Sequence, residues 1–141
     1  MDVVTTIAEL RQRLDARRAA GDRVGLVPTM GYLHEGHASL VTASVAANDV
    51  TVVSIFVNPL QFAPGEDLEA YPRDLERDCD ICRAEGADHV FAPTVEEMYP
   101  RPVATTVSVG GISAPHEGVS RPTHFAGVAT VVPTEIETVG P

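Results

Sequence analysis

The 141-residue sequence predicts an α/β fold in which a parallel sheet carries crossover helices on both faces. Two observations lead there. Helix-periodic segments alternate with short apolar, β-branched runs along the chain. One of those runs, "VTVVSIFV" at residues 50–57, is almost wholly apolar, as a central parallel strand covered on both sides must be. A hydrophobic fraction of 44% supplies the material for a real core, and the length suits one domain.

Taken in order, Thr6 followed by Glu9 has the form of a capping box, and Ile7, Leu10 and Leu14 recur at helical spacing. A first helix is therefore expected over Thr6 to Ala20. Gly21 stops it, and "VGLVPT" reads as a buried strand. A loop from Thr29 to Glu35 leads into the helical segment "EGHASLVTASVAAND". The central strand ends at Asn58-Pro59, and residues 59–72, polar and rich in proline and glycine, form a surface loop at its carboxyl end. "RDLERDCDICRAEGA" is a helix closed by Gly86, "HVFAP" a short strand, and "TVEEMYP" a turn or brief helix before Pro100 and Pro102. "ATTVSV" is expected to add one more strand, "GGISAPHEGVSRPTH" an irregular loop, and "FAGVATVV" the apolar start of a further element. Pro133 should interrupt that element, because it removes a backbone donor. The sequence contains no repeat and no low-complexity tract.

Twenty acidic against ten basic residues leave a formal net charge of -10, which disfavours nucleic acid and anionic membranes as partners and favours small-molecule chemistry. Every basic residue is an arginine; there is no lysine. The N-terminus has no secretory pattern and no apolar run is long enough to span a bilayer, so a cytoplasmic protein is expected. Cys79 and Cys82 have CxxC spacing but neither a thioredoxin-like context nor further zinc ligands, and read as ordinary thiols on a helix.

Ligands of parallel sheets bind beyond the carboxyl ends of the strands, where two loops fall here, "PTMGYLHEGH" and "NPLQFAPGED". In the first, His34 and His37 flank Gly36 at the mouth of a helix, where unpaired N–H groups and the helix dipole attract an anion such as phosphate. No P-loop or dinucleotide fingerprint accompanies them. By spacing alone the pair fits a nucleotide site, a metal pair or two structural histidines. Asn58 and Gln61 fit either turn chemistry or ligand binding. Arg121 and His124 could offer charge-assisted bonds to a carboxylate or phosphate. His89 and His116 read as bland, and Glu66, Asp67 and Glu69 as solvated loop carboxylates with magnesium as the alternative.

Five blocks between residues 26 and 132, "VPTMGYLHEGH", "VSIFVNPLQF", "GEDLEAYPRDLERD", "MYP" and "RPTHFAGVATVV", resemble in order and approximate spacing the pantothenate synthetases, the pantoate–β-alanine ligases. The resemblance implies a Rossmann-like domain of the HIGH-motif nucleotidylyltransferase type. It implies a ligase using ATP and Mg2+: pantoate attacks the α-phosphate to give pantoyl adenylate and pyrophosphate, and the β-alanine amine then displaces AMP. It places Met30, Gly31, Tyr32, Leu33, His34, Glu35, Gly36 and His37 at the ATP site, with His37 as proton donor and His34 on phosphate or ribose. Gln61 would bind pantoate and β-alanine, Asn58 would support the same pocket, and His124 would join it. No protein-held metal site is implied, and the complete enzyme would be a homodimer.

The likeness ends near Val132. The family's later lysine-, glutamine- and SSRN-type blocks, which hold the ATP phosphates and pantoate, have no counterpart in "VVPTEIETVGP". Residues 1–132 are therefore expected to be an incomplete, truncated nucleotide- and pantoate-binding domain, and residues 133–141 a divergent tail. The alternative to an enzyme part is a non-catalytic module that binds nucleotide or pantoate.

Overall fold

The computed structural model describes residues 1–62, 68, 70–107 and 124–140. Among them, β1 (Asp2–Val4), β2 (Val24–Thr29), β3 (Val50–Ile55) and β4 (His89–Phe91) form one parallel sheet in the order β1-β4-β3-β2. Helices α1 (Ile7–Ala19), α2 (Glu35–Ala47), α3 (Leu75–Ala84), the short α4 (Val95–Met98) and α5 (His124–Val139) accompany it.

The strand side-chain period of two sorts the core into two layers. From β3, Val50 and Val52 enter a cluster with Leu10 and Leu14 of α1 and Val131 and Val139 of α5. Val53 instead joins Val41 of α2 and Cys79 and Cys82 of α3 on the opposite face. Every residue from Val50 to Ser54 is at most 1% exposed, which is why that run reads as continuously apolar apart from Thr51 and Ser54. The cysteines are part of this packing. Burial pushes both thiols up, Cys82 to about 11, so they stay protonated and unreactive at neutral pH.

Local structure departs from the sequence reading at four places. The N-terminal "DVV" is a strand, too short for a period of its own and formed by pairing with β4, with Val3 opposite Val90. Residues 104–107 of "ATTVSV" are exposed and form no strand; the Val107 N–H donates to Thr130 Oγ1 (2.9 Å), which ties the segment to α5 instead of the sheet, and Ser108 and Val109 lie outside the described residues. The α1 capping box is half made. Thr6 Oγ1 accepts from the Glu9 N–H (3.3 Å), but Glu9 turns to Arg13, and the Ile7 N–H is satisfied by Glu97 Oε1 (2.8 Å).

The fourth departure is α5, which continues through Pro133 and crosses residue 132 without a break. Its packing explains the tolerance. Arg11 donates to the carbonyls of Thr138 (3.2 Å) and Glu137 (3.0 Å), and Arg18 to that of Gly140 (2.9 Å), so cations of α1 clamp the negative end of the helix. Val131, Thr138 and Val139 are buried against the sheet and α1. Tertiary burial thus outweighs one lost hydrogen bond.

Pro133 is itself exposed, so Pro133→Ala should restore the missing donor without disturbing a contact. The expected gain is about 1–2 kcal/mol, the helix-interior penalty of proline less the unfolded-state entropy it removes. Urea unfolding measures it; an unchanged or lower midpoint would mean that α5 is not helical across this position.

Candidate active site

The loop between β2 and α2 is held from the other side of the chain. Gly31 (φ 82°) and Tyr32 (φ 53°) are both left-handed, a costly geometry for tyrosine. It is imposed by Asp78 of α3, only 1% exposed, whose Oδ2 accepts from the Tyr32 N–H and Oδ1 from the Leu33 N–H, both at 2.7 Å. Arg77 lies over the Tyr32 ring, 5.4 Å from its centroid. The buried charge is thus compensated by two short N–H bonds and by the Arg77 guanidinium, 3.7 Å from Oδ1.

The two histidines cap the helix that follows. The Gly36 N–H donates to His34 Nδ1 (3.1 Å), and the His34 N–H donates to His37 Nδ1 (3.3 Å), a reciprocal capping box built from imidazoles. Their ring centroids are 4.1 Å apart. A Cβ on residue 36 would lie 2.9 Å from His34 Cε1, so the glycine makes room for the ring over the first turn. With both Nδ1 atoms accepting, each neutral imidazole carries its hydrogen on Nε2, where it can serve a ligand. Burial, and then the neighbouring His34, hold His37 below the ordinary imidazole pKa, with Asp78 acting against them.

The second loop meets the C-terminal helix. Asn58, fully buried, accepts from the Leu60 N–H (3.2 Å) and the Tyr99 hydroxyl (3.0 Å) and donates to the Gly127 carbonyl (3.3 Å). It caps a 3-10 turn at Pro59–Gln61, and α5 crosses this turn so closely that a Cβ on residue 127 would clash with the Leu60 carbonyl oxygen. The same crossing sets His124 Nδ1 3.3 Å from the Gln61 carbonyl oxygen. A carbonyl can only accept, so this contact assigns the hydrogen to Nδ1 and leaves Nε2 of neutral His124 as an acceptor.

These elements enclose a cavity of about 350 Å³ beyond the carboxyl ends of β2 and β3. Met30, Gly31, His37, Gln61 and His124 all line it. Of the other sequence candidates, Tyr32, His34, Glu35 and Gly36 are exposed at the helix mouth, Leu33 is in the core and Asn58 stands behind the wall. His89 opens β4 away from the cavity, with Nδ1 lacking a hydrogen bond. Glu66, Asp67, Glu69, His116 and Arg121 lie outside the described residues. Two groups escaped sequence reasoning. Asp78 was hidden because nothing local marks a buried acid among the charges of "RDLERD". Glu135 of α5, 3% exposed, also lines the cavity and accepts from the Ser54 hydroxyl at 2.8 Å. Burial raises its pKa from the ordinary 4.5 to about 7, against the opposing effect of the Ser54 bond.

Fold and cavity together define a Rossmann-like α/β domain with a cavity at the carboxyl edge of its parallel sheet, where ligands of such sheets bind. The chain belongs to the pantoate-beta-alanine ligase family, whose model matches residues 2–141. It is similar to the pantothenate synthetase of Allorhizobium ampelinum, 61% identical over 132 residues that cover 94% of this chain and 46% of that protein. The pantothenate synthetase of Brucella anthropi is 57% identical over 140 residues, covering 99% and 48% respectively. The crystal structure of pantothenate synthetase from Thermus thermophilus superposes with a TM-score of 0.91 at 53% identity, over all of this chain and 50% of that one. A pantoate-beta-alanine ligase from Francisella tularensis, complexed with beta-gamma ATP and beta-alanine, does so with a TM-score of 0.89 at 35% identity, over 54% of its chain. The chain spans about half the length of the curated relatives it matches.

Two outcomes test this geometry. Asp78→Asn keeps one acceptor and sets an amide against the second N–H, which should cost about 2–4 kcal/mol in urea unfolding. A loss below about 0.5 kcal/mol, the usual surface value, would mean the latch is not formed. For Glu135, a folded-state pKa raised to about 7 means that the native protein binds the extra proton between pH 4.5 and 7. Stability should therefore fall as pH rises through that window, by up to roughly 3 kcal/mol. Glu135→Gln should remove this slope; an equal slope in both proteins would place the titration elsewhere.

Proposed function

We propose that this chain forms the nucleotide- and pantoate-binding part of a pantoate–β-alanine ligase. ATP and the pantoate carboxylate give pantoyl adenylate and pyrophosphate, and the β-alanine amine then displaces AMP to give pantothenate. One observation carries the reading: His37, Gln61 and His124, from three separate segments, line one cavity at the sheet's carboxyl edge. The names of the relatives and the Francisella tularensis complex with beta-gamma ATP and beta-alanine support it.

The triphosphate lies at the mouth of α2, where the free N–H groups of the first turn and the helix dipole favour negative charge. His37 donates from Nε2 to the phosphate chain as charge builds on the leaving pyrophosphate, and its neutral resting form leaves the Nδ1 cap intact. His34 addresses phosphate or ribose from the exposed side. Met30 and Gly31 form the floor between nucleotide and pantoate, and the backbone of Tyr32 and Leu33 is fixed by Asp78. Glu35 and Gly36 contribute the first turn. Gln61 suits pantoate and β-alanine because its amide donates to a hydroxyl or carboxylate while its carbonyl accepts from an amine. His124 offers a ring nitrogen beside it, and Asn58 keeps the Gln61 turn in place.

No group of three His, Cys, Asp or Glu side chains among the described residues is arranged to hold a metal ion. Mg2+ brought in with ATP would supply neutralisation of phosphate charge. No helix among the described residues is long and apolar enough to cross a membrane. We place the activity in the cytoplasm, in a homodimeric enzyme without nucleic-acid or membrane partners, the last supported by the net charge of -10.

Pantoate-dependent exchange of labelled pyrophosphate into ATP tests the first step on the 141-residue chain. In the context of a complete enzyme, His37→Ala should lower the exchange rate about 10²–10³-fold with substrate affinities nearly kept. Gln61→Ala should raise the pantoate requirement and leave ATP affinity close to its starting value. ATP and pantoate binding without exchange would favour a non-catalytic binding module, for which the absence of arginine among the described cavity-lining residues speaks. Failure to bind either would sink both readings.

A further inference from the structure

The wall that α5 contributes to the cavity is a single stripe, His124, Val128, Val131, Val132 and Glu135, at the spacing of one helix face. It begins with an imidazole, continues through valines and ends in a carboxyl group. Glu135 Oε1 is occupied by the Ser54 hydroxyl, and Oε2 has no hydrogen-bond partner among the described residues. A buried acid with one oxygen left over, on the wall of a ligand cavity, has a role that helix packing does not require. Leucine or valine would pack there without the cost of desolvating a carboxyl.

We propose that Glu135 determines which ligands the cavity admits: holding its proton, it donates from Oε2 to an anionic oxygen of a bound hydroxy acid, and without the proton it repels that anion. Binding of the carboxylate ligand then takes up one proton. This rests on the reading that the cavity holds pantoate. The surroundings favour a carboxylate over a polyphosphate at this end, since the neighbouring stripe is valine and no arginine lines the described wall, whereas the N–H groups that attract phosphate lie at the mouth of α2.

The groups that face Glu135 make the linkage readable. From β3 it meets Ser54, and Tyr99, whose hydroxyl is bonded to Asn58, interacts with it electrostatically. Across the cavity stand His37, Tyr71, Thr29 and Gln61. Arg11 and Arg18 of α1 reach the carbonyls at the end of α5, and Glu137 is exposed. Near neutral pH the competing titration is that of His37, which loses positive charge as pH rises and would weaken anion binding in the same direction, so the variants leave His37 and His124 in place.

The experiment is calorimetric titration of the 141-residue chain with pantoate from pH 5.5 to about 8.5, in two buffers of different ionisation enthalpy, for wild type, Glu135→Gln and Ser54→Ala. Wild type should lose affinity by about ten- to thirtyfold across this range and take up a proton on binding above about pH 7. Glu135→Gln, permanently neutral and still a donor, should bind pantoate at high pH nearly as well as wild type does at low pH, without the proton uptake. Ser54→Ala removes the bond that favours the ionised acid and should move the fall to higher pH; it decides the matter if Glu135→Gln does not fold. Equal pH dependence in all three proteins would overturn the proposal, assigning the slope to groups other than Glu135 while leaving pantoate binding intact. A Glu135-dependent slope seen with inorganic pyrophosphate and absent with pantoate would overturn the carboxylate assignment. Absence of pantoate binding at every pH in folded protein would remove the reading on which the proposal rests, and the proposal with it.

Discussion

The geometry of the site depends on one buried carboxylate. Asp78 reaches from α3 across the end of the sheet and accepts the backbone N–H groups of Tyr32 and Leu33. Without it, neither the left-handed turn at Tyr32 nor the buried N–H of Leu33 would be compensated. With it, the chain leaves β2 in a fixed direction, Leu33 plugs into the core and His34 arrives as the cap of α2. The histidine pair is thus placed by a residue far away in sequence. Desolvating a carboxylate is costly, and two short charge-assisted bonds to otherwise orphaned donors offset that cost.

The opposite wall depends on close approach. Gly127 lets α5 touch the Pro59–Gln61 turn, Asn58 ties that turn to α5 and Tyr99, and the arginines of α1 hold the far end of the helix. The cavity exists because these contacts fix α5 over the carboxyl ends of β2 and β3. The groups that line it are consequently spread over segments that touch only in the folded chain. The same helix brings a buried acid to the wall, which gives the site a charge that depends on pH.

Much of this was legible in the residues. The apolar run of β3, the glycine stops and the helical period of α1 gave the parallel three-layer arrangement, because local pattern and tertiary burial agree there. The motif from Met30 to His37 and the Asn58 and Gln61 turn pointed to the edge of the sheet where the cavity lies. What was not legible depends on partners distant in sequence. "DVV" becomes a strand only beside β4, Pro133 is tolerated only because α5 is clamped and buried, and Val107 bonds to a helix where the pattern of residues 104–107 suggested a sheet. Asp78 and Glu135 look like surface acids among other acids, and no periodicity marks a carboxylate whose environment is assembled by other elements. By spacing the histidines fit a nucleotide site, a metal pair or two structural residues; that they cap the helix that presents them follows only from the ring orientations.

The central claim is that ATP phosphates settle at the histidine-capped mouth of α2 while pantoate occupies the cavity between Gln61, His124 and α5. A crystal structure of this chain with ATP and pantoate tests it most directly. The account predicts phosphate oxygens within hydrogen-bonding distance of the first-turn N–H groups of α2 and of His37 Nε2, and pantoate against the Gln61 amide. Ordered ATP elsewhere on the chain, with the mouth of α2 holding only solvent, would contradict it.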